Sequence, residues 1–175
     1  MLRGINVSGQ RLIRMPELKN LYENLGFIEV ATYIQSGNVI FKTDKNLDPV
    51  VLSSRVEQAI FDKFGFEVPV IIRTPQELAL VKNLNPFHHP DGKLKENIYI
   101  TFLEKEPLPG YVDKINPFDY KPDRFVVQGK EIYIDCAAGY GTTKLSNTFF
   151  ENKLKVRATT RNWKTVITLL QLAAD

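Results

Sequence analysis

The chain has 175 residues, 43% hydrophobic and 25% charged, with a formal net charge of +3 and a pI near 8.9. These are ordinary globular values, and the length allows one domain or two small ones with a core that needs no covalent staples. Cys136 is the single cysteine, which excludes an internal disulfide and a multi-cysteine metal site and points to a reducing compartment.

No run of residues approaches the apolar length that spans a bilayer. Arg3, Arg11 and Arg14 interrupt the N-terminus, so it does not read as a secretory leader. The expectation is a soluble cytoplasmic protein with no membrane partner. Leu2 already reads as strand interior, so the chain is expected to begin inside an element.

Met1–Val7 is apolar enough for a strand, broken by Arg3, Gly4 and Asn6. Pro16 suits the first turn of a helix. Leu18, Leu21, Tyr22 and Leu25 follow at helical spacing, and Gly26 stops the pattern. Two β-rich runs, Ile28–Gln35 and Asn38–Thr43, flank Ser36-Gly37 and predict a hairpin. Asp48-Pro49 opens a longer helix with Val51, Leu52, Val56, Ile60 and Phe64 on one face and Gly65 at its end. Val68–Arg73 reads as a short buried strand.

Pro75 opens another helix, ended by Pro86. A polar loop covers Phe87–Glu96, and Ile98–Leu103 is a strand. Glu104–Lys121 carries Pro107, Pro109 and Pro117 and reads as an irregular connection with one short helix near Val112. Arg124–Gln128 and Glu131–Cys136 form a second hairpin around Gly129. The stretch GYGTTKLSNTFFENKLKVRATTRNWKTVITLLQL, Gly139–Leu172, then predicts two helices. One opens at Thr142-Thr143-Lys144, the other at Thr159-Thr160-Arg161.

Internal echoes predict a duplication. Arg14-Met15-Pro16-Glu17-Leu18 resembles Arg73-Thr74-Pro75-Gln76-Glu77-Leu78. The hairpin at Gly37 resembles the one at Gly129, and each precedes a helix with an apolar pair and an acid, Ile60-Phe61-Asp62 and Phe149-Phe150-Glu151. The expected fold is α+β. It has two similar ferredoxin-like halves, strand-helix-hairpin-helix, with antiparallel sheets, plus an extra C-terminal helix. The expected subdomains are 1–66 and 67–175.

The candidate chemistry lies in the C-terminal stretch. Thr is a good N-cap, whereas a cation in the first helical turn opposes the helix dipole. That pattern occurs twice, once after Gly139-Tyr140-Gly141, whose turn can aim N–H groups at an anion. The ligand-binding candidates are therefore Gly139, Gly141, Thr142, Thr143, Lys144, Thr160, Arg161 and Asn162. Arg3 and Asn6 join them, because a bulge at Gly4 would bring the two together. The loop lacks Walker spacing, and its plain alternative is a strand-to-helix turn with a solvated lysine. Asn162 can equally cap its own helix. Trp163, Val166, Ile167 and Leu170 form an apolar stripe, so Trp163 reads as core.

His88-His89, adjacent on a Pro-flanked loop, do not make a metal site, and no cofactor is implied. Cys136 has Asp135 beside it and no cause for a lowered thiol pKa. No catalytic set can be read. Arg3, standing where an aromatic would be wanted, argues against an RNA-recognition motif. Lys144, Lys153, Lys155, Arg157, Arg161 and Lys164 against Glu151 leave nucleic-acid backbone as a possible partner. The leading reading is a small binding module for an anion: phosphate, nucleotide or nucleic-acid backbone. The alternatives are a small enzyme with a polar pocket between the halves, or an assembly protein.

Five motifs carry a family resemblance: Leu2-Arg3-Gly4-Ile5-Asn6-Val7, Tyr33-Ile34-Gln35-Ser36-Gly37-Asn38-Val39, Asn85-Pro86-Phe87, Lys144-Leu145 and Thr160-Arg161-Asn162-Trp163. On these the chain resembles the bacterial domain-of-unknown-function family numbered 1697. The resemblance implies two similar α+β subdomains and no established activity. Relatives place Arg-Ser before the loop lysine where this chain has Thr142-Thr143. If that arginine contacts a ligand in relatives, this chain lacks the contact or Arg161 replaces it.

Overall fold

A computed structural model describes residues 1–7, 9–43, 47–87, 97–115 and 120–174. His88, His89 and Pro117 lie outside them. The described elements are α1 (Met15–Asn24), β1 (Ile28–Tyr33), β2 (Asn38–Lys42), α2 (Pro49–Phe64), α3 (Pro75–Asn83), β3 (Ile98–Leu103), α4 (Pro109–Val112), β4 (Arg124–Gln128), β5 (Glu131–Asp135), α5 (Asn147–Leu154), β6 (Ala158–Asn162) and α6 (Trp163–Ala174). The class is α+β, with one two-stranded and one four-stranded antiparallel sheet. No described helix is long and apolar enough to cross a membrane.

The chain divides into two compact units, Met1–Thr74 with Gln171–Asp175, and Pro75–Leu170. A boundary at 66/67 would fall ahead of the extended segment at Pro69–Ile71. Backbone bonds keep that segment with the chain start: Arg3 N donates to Pro69 O at 2.9 Å, and Ile71 N to Met1 O at 2.9 Å. Glu57 on α2 also accepts Val70 N at 2.8 Å.

In the first unit, Leu18, Leu21 and Tyr22 of α1 and Leu52, Val56 and Ile60 of α2 are buried with Leu2, Ile5 and Ile13. Asp48 caps α2 by accepting Val50 N at 2.7 Å, and Gly65 ends the helix in a left-handed conformation. The expected strand at Met1–Val7 reduces to two isolated bridges, Leu2 with Val70 and Val7 with Gln10. Its physical reason lies in the backbone: Gly4 and Asn6 adopt φ of 67° and 55°, which turns the chain out of line. The hairpin at Gly37 forms as expected, with Tyr33 opposite Asn38.

In the second unit the strand order is β4-β5-β3-β6. One face packs Leu103, Ile132, Ile134 and Ala158 with Phe150 and Leu154 of α5. The other carries Ile100 and Tyr133 as cross-strand partners. There the Tyr133 hydroxyl donates to Val81 O of α3 at 3.2 Å, and Lys130 pairs with Glu77 of α3 at 2.6 Å. Burial, with the Glu131 charge, pushes the Tyr133 phenol up to about 12.

Arg157 forks onto Glu104, with Nη2 to Oε1 at 2.6 Å and Nε to Oε2 at 3.1 Å. The Arg157 hydrogen bond holds the Glu104 carboxyl below its usual value, against the opposing effect of burial. A depressed carboxyl contributes stability above its unfolded pKa and loses it as pH falls through the folded value. Acid unfolding of Arg157→Gln is therefore expected to show a weaker loss of stability below about pH 4.5 than wild type. Parallel acid limbs in the two titrations would contradict this.

Candidate functional site

The glycine loop follows β5. Gly139, at φ 86°, and its neighbours form two successive turns: Gly139 N donates to Cys136 O at 3.2 Å and Thr142 N to Gly139 O at 3.4 Å. Asp123 fixes both arms of the loop. Its Oδ1 accepts Ala137 N at 2.9 Å and its Oδ2 accepts the Thr143 hydroxyl at 2.6 Å. The Thr142 hydroxyl donates to Gly139 O at 3.1 Å. Both threonine hydroxyls thus find their partners inside the loop and at Asp123.

The helix expected at Thr142-Thr143-Lys144 starts later, at Asn147. Ser146 is its cap, accepting Phe149 N at 3.2 Å, while fully buried Leu145 pins the approach. Lys144 therefore precedes the cap by two residues. It is exposed, and it does not oppose the dipole from within the first turn.

The helix expected at Thr159-Thr160-Arg161 is a strand, β6. Lys155 closes α5 in a left-handed conformation at φ 58°, and the β-branched threonines then pair with β3. The helix α6 begins only at Trp163, and Asn162 is the residue that caps it, accepting Thr165 N at 2.7 Å. The local role for Asn162 is the observed one.

The β6 register divides the candidates. Thr160 stands opposite Thr101, and Arg161 opposite Ile100. Successive strand residues point to opposite faces, so the two side chains leave the sheet on different sides. Thr160 is a hub on the α5 side. Its hydroxyl lies 2.7 Å from that of Thr101, receives the Tyr140 hydroxyl at 3.1 Å, and donates to Asn147 Oδ1 at 2.6 Å. Tyr140 of the loop also packs on Tyr99 of β3, with ring centroids 4.9 Å apart. One hydroxyl thus joins the glycine loop, the start of α5 and the strand that leads into α6.

Arg161 is 8% exposed. Its Nη1 donates to Thr159 Oγ1 at 2.9 Å and to Thr160 O at 2.8 Å. Burial lowers the guanidinium pKa to about 10, so it still carries its charge at neutral pH. Burial, with the Asp123 charge, pushes the Cys136 thiol up to about 11, which leaves it protonated and a poor nucleophile.

Arg3 and Asn6 belong to the first unit. The Asn6 amide ties backbone: Nδ2 donates to Ile13 O and Gln35 O, both at 2.9 Å, and Oδ1 accepts Ile13 N at 2.9 Å. Its role is to clamp a loop. Among the described residues no group of three metal-ligating side chains occurs. Asp123, Tyr140, Asn147 and Thr101 escaped the sequence reading. Ser146-Asn147 held a usable cap signal, but nothing local marked Asp123.

The sequence model of the family described as "Protein of unknown function (DUF1697)" matches residues 1–133. Among solved structures, the conserved bacterial protein SP0830 from Streptococcus pneumoniae is similar in fold. Its TM-score is 0.68 at 21% identity, over 99% of this chain and 96% of that one. No curated protein matches the chain.

Proposed function

The chain belongs to the DUF1697 family of proteins of unknown function, and on that premise we propose that it is a binding module for an anionic ligand held at the glycine loop of the second unit. Phosphate, a nucleotide or a nucleic-acid backbone has the required charge. Lys144 supplies the exposed cation. Gly139 and Gly141 let a ligand approach the backbone closely, and Thr160 and Asn147 frame the site where α5 starts. Arg161, on the opposite face of β6, takes no part in this site. The observation that carries this reading is the Asn147–Thr160 hydrogen bond, which ties the start of α5 to the strand running into α6. Helix starts are favourable places for anions because their N–H groups and dipoles point outward.

The same reading includes a repeated architecture. The order β3-α4-β4-β5-α5-β6, with sheet order β4-β5-β3-β6, has the split βαβ form. The first unit has helix, hairpin and helix in the same sequence, between extended segments at the chain start and at Pro69–Ile71. Superposing the units tests this: overlaid helices with hairpins at Gly37 and Gly129 out of place would refute a duplication.

Thermal melts of wild type and Lys144→Ala, with and without phosphate, sulfate and a short oligonucleotide, test the ligand reading. A ligand that binds only the native state raises its stability as concentration passes the dissociation constant, by about 2.7 kcal/mol at a hundredfold excess. The expected result is a shift in wild type, a smaller shift in Lys144→Ala, and equal melts without ligand. No shift in wild type with any anion would refute the site.

A further inference from the structure

The first unit holds a second feature that the loop site does not use. Between buried Ile5 and buried Ile13 the described residues 6–7 and 9–12 make a short excursion closed by Asn6 N to Arg11 O at 3.2 Å and Gln10 N to Val7 O at 3.0 Å. The Asn6 amide locks its base. Three of its residues adopt left-handed backbone, Asn6, Gly9 and Arg11, at φ of 55°, 74° and 48°, and Gly4 just before it does so at 67°. Asn adopts this region readily, whereas Arg11 is held there by its surroundings.

What the excursion presents is specific. Val7 is 59% exposed and Leu12 67%. In the run Leu12-Ile13-Arg14 the middle residue is buried and the outer two are exposed, so Leu12 and Arg14 share the outward side, with exposed Arg11 at the bend before them. Among the described residues neither Arg11 nor Arg14 pairs with a carboxylate. Met1–Pro16 contains three cations, all arginine, and no acid.

We infer that this clamped excursion is a docking surface for a nucleic-acid strand, with Arg11 and Arg14 on phosphates and Leu12 against the sugar or base surface. Charge complementarity fixes the sign of the partner. Arginine forks match phosphate oxygens in pairs, and backbone phosphates dominate such binding. An anionic bilayer is the weaker fit, since Met1–Pro16 has no Trp, Phe or Tyr to seat at a lipid interface. This surface is independent of the glycine loop, and either proposal can fail alone.

The test is anisotropy of a labelled single-stranded oligonucleotide over a salt series, with the full chain. Each phosphate contact to a single strand contributes about −0.7 to the slope of log K against log salt. Arg11→Ala and Arg14→Ala are each expected to flatten the slope by about 0.7 and to weaken binding. Lys19→Ala, at an exposed cation of α1 outside both proposed surfaces, is the charge control and is expected to leave slope and affinity near wild type. Both arginines are exposed, so their variants keep the wild-type melt. Asn6→Ala, which frees the excursion with both cations intact, is expected to lower affinity while leaving the slope in place. Absent oligonucleotide binding, slopes unchanged in both arginine variants, or equal binding to polyglutamate or to anionic vesicles would each overturn the inference.

Discussion

Gly37→Ala is expected to destabilise the protein by roughly 2–5 kcal/mol, the sum of an overpacking cost and the strain of a left-handed alanine. A methyl group there would lie 2.7 Å from Leu2 Cβ and 2.8 Å from Ile5 Cδ1, both fully buried, and φ is 76°. Neither neighbour can retreat easily. Leu2 N donates to Gly37 O at 2.8 Å, and both side chains belong to the first unit's core. Gly129→Ala is the control. It shares the hairpin position and a positive φ of 56°, but nothing stands within 4 Å of the added methyl. Its expected cost is the strain alone, about 1–2 kcal/mol. Denaturant midpoints at constant slope read both values. Equal losses for the two variants would show that the close approach at Gly37 does not govern the first unit's packing.

Trp163→Ala is expected to cost roughly 3–5 kcal/mol, the range for emptying a large aromatic site in a core. Trp163 is 5% exposed and opens α6, where Thr165, Val166 and Leu169 are also buried. The residue's place is doubly fixed, by that burial and by the Asn162 cap immediately before it. Trp163→Phe keeps most of the apolar surface and is expected to lose markedly less. A thermal midpoint for the alanine variant within error of wild type would show that the side chain is not core.

Much of the fold follows from local pattern. The apolar spacing of Leu18, Leu21 and Tyr22, and of Leu52, Val56 and Ile60, marks helices that bury those faces. Both hairpins carry a glycine where the backbone has positive φ. Where the reading failed, the missing information was tertiary. Ala158-Thr159-Thr160-Arg161-Asn162 is too short and too polar to alternate visibly, yet β3 offers it a complete register from Tyr99 to Leu103. That pairing overrides the cap-like look of Thr-Thr before a helix. Lys155 gave no warning that it would close α5, because a left-handed lysine has no compositional signature.

The site shows the same limit. Lys144 and Gly139 were identifiable from the sequence, because a glycine turn before a helix is a local pattern. Asp123 was not, since its bonds to Ala137 and Thr143 reach across 14 and 20 residues. The Thr160 hub depends on partners at Thr101, Tyr140 and Asn147 that only the strand pairing assembles. Asn6 looked like a ligand contact because a polar residue in an apolar opening invites that reading. The structure uses its whole amide to hold backbone.

The most direct measurement of the central claim is a phosphate titration followed by backbone amide resonances of the 175-residue chain. Binding at the glycine loop predicts concentration-dependent shifts centred on Gly139, Gly141, Lys144 and Asn147 with Thr160, and their loss in Lys144→Ala. Amides at those positions that stay still while wild type is saturated with phosphate, or shifts confined to other parts of the chain, would contradict it.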